Sequence, residues 1–253
     1  MAEAYELWKA MSVAGEDITF WQNIYVKFYQ AFIEADRWKQ YLEGMATTLY
    51  VTVIAILIGI VLGVIVASIR TAHDQQRRKK NIVLGFLNAI CKIYVTVIRG
   101  TPMMVQLMIL GFVVFKSSRN FTMVGALGLG LNSGAYVAEI IRGGLMSLDQ
   151  GQSEAGRSLG LGYMDTMRFI VVPQAFKAVL PALGNEFIIL LKDTSLLTII
   201  GGKELVHAAQ GIMNRTWEQM FPLLGISFLY LVMVLILSWL QGKLERRLRQ
   251  SER

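Results

Sequence analysis

Two acidic residues in an apolar stretch make the first chemical statement of this sequence. Ala178 to Gly202 is long enough to cross a bilayer, yet it carries Glu186, Lys192 and Asp193, groups that hydrocarbon penalises heavily. Either the segment does not span, or these three residues face protein or water. Glu186 and Asp193 are seven positions apart, so on a helix they project from nearly one face, roughly 10 Å apart along the axis. Two acids on one buried face suggest a polar pathway and could hold an ammonium or guanidinium group. The alternative is that both pair with Lys192, Arg99 or Arg142 from neighbouring helices and only hold the bundle together.

Arg99 could grip a substrate carboxylate through two parallel N–H bonds, although anchoring at the membrane surface is its plainer role. Glu139 and Arg142 stand at i and i+3, the spacing of a local salt bridge, here near the cytoplasmic end of their helix. Beyond these groups the chemical inventory is thin. The single cysteine, Cys91, excludes an internal disulfide, and His73 and His207 are too far apart in sequence to suggest a metal motif. A phosphate loop needs Gly-x-x-x-x-Gly-Lys-Ser/Thr. Gly201-Gly202-Lys203 comes nearest, but Leu197 stands where the first glycine should be and Glu204 follows the lysine. No nucleophile has a recognisable base or metal cluster, so the chain reads as no enzyme and as carrying no cofactor. ATP and Mg, if used, are expected on another chain.

The elements that position these residues are set by hydrophobicity. Of 253 residues, 54% are hydrophobic and 17% charged, against roughly 45–50% and about 25% in soluble domains. Met45 to Ile69, Phe121 to Ala138 and Phe221 to Gly242 carry no charge and read as membrane spans of about 20 residues. Ala178 to Gly202 is a further candidate. Gly100 to Phe115 is charge-free but short, and spans only if Lys116 snorkels or the helix recruits residues upstream of Pro102. Pro102 itself predicts a bend after the apolar run Asn81 to Ile98. The expected architecture is an all-α membrane protein of about five transmembrane helices. In the first span, Gly59-x-x-x-Gly63 could let two helices approach closely.

The surplus of Lys+Arg, 25 − 18 = +7, marks a side of the membrane rather than a nucleic-acid partner. Arg70, Arg77, Arg78, Lys79 and Lys80 follow the first span; Arg157, Arg168 and Lys177 follow the third; Lys243, Arg246, Arg247, Arg249 and Arg253 follow the last. Those three places are cytoplasmic by the positive-inside rule, which puts the N-terminus outside and the C-terminus inside. Arg37 and Lys39 partly oppose that assignment. Residues 1–44 read as an amphipathic arm that lies on the membrane interface or packs on its own bundle, 45–242 as the transmembrane domain and 243–253 as a basic cytoplasmic tail. With no basic region ahead of an apolar stretch in the first 40 residues, no cleaved signal is expected.

Between the third span and Ala178 the composition turns polar, then mildly amphipathic. Ser147, followed three residues later by Gln150, fits a capping box that starts a short helix, which Gly160 and Gly162 would stop. A second piece, Tyr163 to Val172, would end at Pro173. The expected result is a cytoplasmic helix, turn and helix over about 147–173, a loop that calls for a partner.

In that loop Glu154-Ala155-Gly156, then Gly160, Ile170 and Pro173, resembles the EAA loop of ABC importer permeases, whose pattern is Glu-Ala-Ala, three residues, Gly, nine residues, Ile, any residue, Leu, Pro. Gly156 replaces the second alanine and Val172 the leucine; the spacing is intact. Arg99-Gly100-Thr101-Pro102 with Val105-Gln106, Ala135-Tyr136-Val137-Ala138-Glu139-Ile140 with Arg142-Gly143-Gly144, and Leu191-Lys192-Asp193-Thr194-Ser195-Leu196 look like the branch for polar amino acids. The resemblance covers roughly residues 42–245. It implies a type I importer permease in the bacterial cytoplasmic (inner) membrane, whose loop is a coupling helix docked on cytoplasmic ATP-binding subunits. It further implies a second, identical or homologous permease chain, an external substrate-binding protein, a polar amino acid as cargo, and an acidic pair in the translocation cavity. An ion-gradient transporter or channel is the alternative; a membrane enzyme is weaker.

Overall fold

The computed structural model describes residues 2–76 and 81–250, and these form helices and turns without strands. Arg77, Arg78, Lys79, Lys80 and Arg253, used above to assign a side, lie outside the described residues, as does the side chain of Arg249. The arm is two helices, α1 (Ala2–Val13) and α2 (Phe20–Phe32). A capping box starts α2: the Gln22 amide donates to Thr19 Oγ1 at 3.4 Å, and the Thr19 amide donates to Gln22 Oε1 at 2.8 Å. The arm packs on itself through Tyr5 stacked on Tyr29, ring centroids 4.2 Å apart. It is tied to the bundle by Lys27 and Glu218, 3.0 Å apart, and by Phe28 against Phe221. Ala35 and Asp36, both with positive φ, then turn the chain into α3 (Arg37–Asp74). The charge-free run Met45 to Ile69 thus lies inside a longer helix.

Among the described residues five helices are long and apolar enough to cross a membrane: Glu34–Asp74, Ile82–Gly100, Phe121–Met146, Tyr163–Ile200 and Met220–Leu248. The second is α4 (Ile82–Gly100), and Gly100 to Phe115 is not an independent long span. After Thr101, in extended conformation, and Pro102, the chain forms α5 (Met103–Met108) and a π turn, Ile109–Val114. In an unbroken helix the Ile98 carbonyl would receive the amide of residue 102, which proline lacks. Gln106 replaces it, its Nε2 donating to Ile98 O at 2.8 Å and to Thr101 Oγ1 at 2.8 Å. Beyond the bend Leu107 and Leu110 pack on Gly128, and Gly111 on Ile200.

α6 (Phe121–Met146) runs parallel to α3 in close contact. Gly59 lies against Ser133 and Gly63 against Val137, where a Cβ on Gly63 would come within 2.5 Å of Val137 Cγ1. The two glycines therefore serve a helix pair inside this chain. Next come α7 (Gln150–Ser158), α8 (Tyr163–Thr166), a π turn, Met167–Val171, and α9 (Val172–Asp193). Ser147 does not cap α7: it closes α6, its hydroxyl donating to Gly144 O at 2.9 Å. Asp149 caps α7 instead, accepting from the Gly151 amide at 2.9 Å, since a carboxylate suits a helix N-terminus better.

Pro173 does not end its helix either. It falls in the first turn of α9, where a missing N–H is tolerated, directly after the wide π turn, so helix runs from Tyr163 onward. A 3₁₀ segment, Thr194–Ile200, leads to α10 (Leu205–Thr216) and then α11 (Met220–Gln250). The core of Val51, Leu107, Leu129, Leu190, Leu197 and Ile200 joins α3, α5, α6, α9 and the 3₁₀ segment. One end of the bundle carries the arm and α10; the other, the basic end, carries α7 with Arg70, Arg142 and Lys243.

Candidate functional site

Glu186 is 6% exposed, deep in α9. Ser133 of α6 donates to its Oε1 at 2.9 Å, and Gly59 gives α3 the room to close over Ser133. The basic residues offered as its partners go elsewhere: Arg99 and Arg142 meet Glu139, and Lys192 is exposed. Asp193 is half-buried at the end of the same helix and near enough to act on Glu186 through space. A buried carboxyl held by a hydroxyl rather than by a base is costly, and buried titratable groups of this kind are candidate functional positions. Beside Ser133, Asn132 donates to Gln106 Oε1 at 3.1 Å. A polar line thus runs from the bend at Thr101 through Gln106, Asn132 and Ser133 to Glu186. Asn132 and Ser133 were missed in sequence; their signal was a polar pair inside the charge-free run Phe121 to Ala138.

At the basic end Glu139 gathers three guanidinium groups. Arg142 Nη2 donates to its Oε2 at 3.0 Å, Arg70 Nη1 donates to its Oε1, and Arg99 Nη1 stands 4.0 Å from Oε2. The expected pair of Glu139 and Arg142 is present, with two further partners. Arg70, read from sequence only as a marker of side, belongs here because α3 and α6 run parallel in register.

In the EAA-like segment, Glu154 and Ala155 face outward whereas Gly156 is buried. A Cβ on Gly156 would stand 2.7 Å from Thr166 Cγ2 and 3.1 Å from Ile170 Cδ1. Gly156 and Ile170 therefore form the seam that fastens α7 to the helix beginning at Tyr163. Gly160, with φ +79, makes the turn between them, and Pro173 is exposed. A groove of about 550 Å³ separates α7 from the end of α3, lined by Asp74, Asp149, Glu154, Arg157, Tyr163 and Thr166. Tyr163 bridges it by donating to Gln75 Oε1.

Toward the arm end, Glu204 is 1% exposed and caps α10. The Val206 and His207 amides donate to its carboxylate at 2.8 and 2.9 Å, and the Tyr230 hydroxyl at 3.1 Å. Burial pushes its pKa up to about 7, outweighing these bonds. In sequence Glu204 was only the residue that spoils a phosphate loop.

Residues 82–250 match the family described as binding-protein-dependent transport system inner membrane component. The glutamine transport system permease protein GlnP of Escherichia coli (strain K12) is 35% identical over 212 residues, 82% of this chain and 92% of that protein. The arginine transport system permease protein ArtQ of Bacillus subtilis (strain 168) is 35% identical over 216 residues, 83% of this chain and 93% of that protein. The crystal structure of an amino acid ABC transporter with histidines superposes with a TM-score of 0.74 at 36% identity, covering 83% of this chain and 94% of the other. With its five long apolar helices and these matches, the chain belongs to the binding-protein-dependent transport system inner membrane components, the multi-pass permease subunits of ABC importers.

Proposed function

We propose that this chain lines the translocation path of an ATP-driven importer for polar amino acids and is driven through α7. One observation carries the reading. The α7 seam at Thr166 and Ile170 and the buried Glu186 belong to one run of helix, Tyr163–Ile200. From Ile170 to Glu186 is sixteen residues, roughly 24 Å of helix. A push on α7 is therefore delivered to the helix that carries the path's carboxyl along one continuous helical run, which bends only as far as its π turn, Met167–Val171, and Pro181 allow.

In this account α7 faces the cytoplasm and docks on an ATP-binding subunit that holds ATP and Mg. The arm and α10 face outward, toward a substrate-binding protein. A second permease chain, identical or homologous, completes the path. Glu186 receives the cationic part of the cargo, with Asp193 nearer the arm end; relatives named for glutamine and arginine suit such a site. Closure of two ATPases around ATP moves both α7 helices together and turns the path outward. Arg99, Glu139 and Arg142, grouped with the path on sequence grounds, are drawn together with Arg70 at the basic end.

The test is the chain reconstituted with its ATPase and binding protein, with ATP hydrolysis measured against a panel of amino acids. Glu186→Gln and Asp193→Asn are expected to shift the ranking away from cationic side chains. An unchanged ranking in both would make the acids structural and overturn their place in the path.

A further inference from the structure

The cluster around Glu139 is short of acceptors. Arg70, Arg99 and Arg142 bring three positive charges to one carboxylate, and the next acid, Asp74 at the end of α3, acts on Arg142 only through space. At least one positive charge is left over. Arg142 Nη1 falls back on a thioether, Met146 Sδ at 3.0 Å, and its Nε is buried without a hydrogen-bond partner among the described residues. Arg99 is held least. Its side chain is 44% exposed, 4.0 Å from Glu139, and its guanidinium lies 5.2 Å from the centroid of the exposed Tyr136 ring.

The depth of the cluster identifies what could fill it. Arg70 is the first charge after the run Met45 to Ile69, and Glu139 the first after Phe121 to Ala138. Both therefore sit where hydrocarbon gives way to headgroups. A guanidinium presents paired N–H donors that match phosphate oxygens, and basic pockets between membrane helices recognise anionic headgroups this way. We infer that Arg99, Arg70 and Arg142 form a site for the phosphate of an anionic phospholipid, with Glu139 as the internal counter-charge that keeps the three arginines together. The lipid would thereby fasten the bend at Thr101 and Pro102 to α3 and α6.

The full chain, stripped of lipid in mild detergent, is titrated with phosphatidylglycerol or phosphatidylcholine, and bound lipid is counted by native mass spectrometry. Phosphatidylglycerol is expected to bind preferentially. Arg99→Gln should weaken it about fivefold, the effect of one basic residue at a membrane surface. Lys243→Gln, also at the basic end but seated on Trp239, should leave it unchanged. Equal binding of the two lipids, or equal losses in Arg99→Gln and Lys243→Gln, overturns the site. Inorganic phosphate alone, followed by phosphorus NMR, separates the sources: a shift lost in Arg99→Gln without any phosphatidylglycerol preference would make this a site for soluble anions and overturn the lipid assignment.

Discussion

Ser133 donates a 2.9 Å hydrogen bond to the carboxyl of Glu186, joining α6 to α9 in the interior of the bundle. Removing the donor while the acid stays buried leaves an unsatisfied group. Ser133→Ala should cost about 1–3 kcal/mol, read as a fall in thermal midpoint in detergent. With Glu186→Leu, which carries no acceptor, in the background the cost of Ser133→Ala should shrink. Equal costs in both backgrounds would mean that the bond contributes nothing specific.

The contact of α3 with α6 predicts a contrast between glycines. Gly63→Ala places a methyl 2.5 Å from Val137 Cγ1 and should destabilise by about 1–3 kcal/mol through overpacking. Gly143→Ala, where nothing lies within 4 Å, should be neutral or slightly stabilising, because alanine favours helix. Thermal unfolding of the two variants side by side decides it.

Gln106 supplies the donor that Pro102 withholds from Ile98. Gln106→Leu should therefore cost about 1–3 kcal/mol, and Pro102→Ala in the same chain should recover part of it by restoring a backbone amide. No recovery in the double variant would remove the proline from the explanation.

Glu204 gives the pH prediction. Its folded pKa is about 7, above the ordinary 4.5, so between those values the folded chain holds a proton that the unfolded chain has lost. The stability from the neutral carboxyl is fully present below pH 4.5 and is lost as pH rises through 7, a change of about 3 kcal/mol by linkage. Midpoints measured from pH 5 to pH 8 should fall for the wild type relative to Glu204→Gln, whose amide does not titrate. Parallel curves would place the pH dependence elsewhere.

Much of this architecture was legible because bilayers impose charge-free runs of fixed length. Met45 to Ile69, Phe121 to Ala138 and Phe221 to Gly242 all lie in long helices, and the EAA-like spacing located α7. Local rules misled where a neighbouring element changed the competition. Ser147 lost the cap to Asp149, whose charge suits the helix dipole, and Pro173 failed to stop a helix that a π turn had already widened. The short run Gly100 to Phe115 depended on Gln106, a partner that no periodicity identifies. Ser133 and Arg70 could not be assigned because their roles follow from α3 and α6 running parallel in one register, a relation set by four glycines meeting side chains across the interface: Gly59, Gly63, Gly130 and Gly134.

In the proposed mechanism ATP bound on another chain drives this path through α7, and uptake into proteoliposomes reads that drive. Vesicles holding this chain, its ATPase and its binding protein should import labelled glutamine or arginine only when ATP is supplied. With Ala155→Arg on the exposed face of α7 the chain should still insert, but the ATPase should no longer bind and uptake should stop. Uptake that persists in Ala155→Arg vesicles, or without ATPase under an imposed ion gradient, would rule out ATP-driven transport through α7.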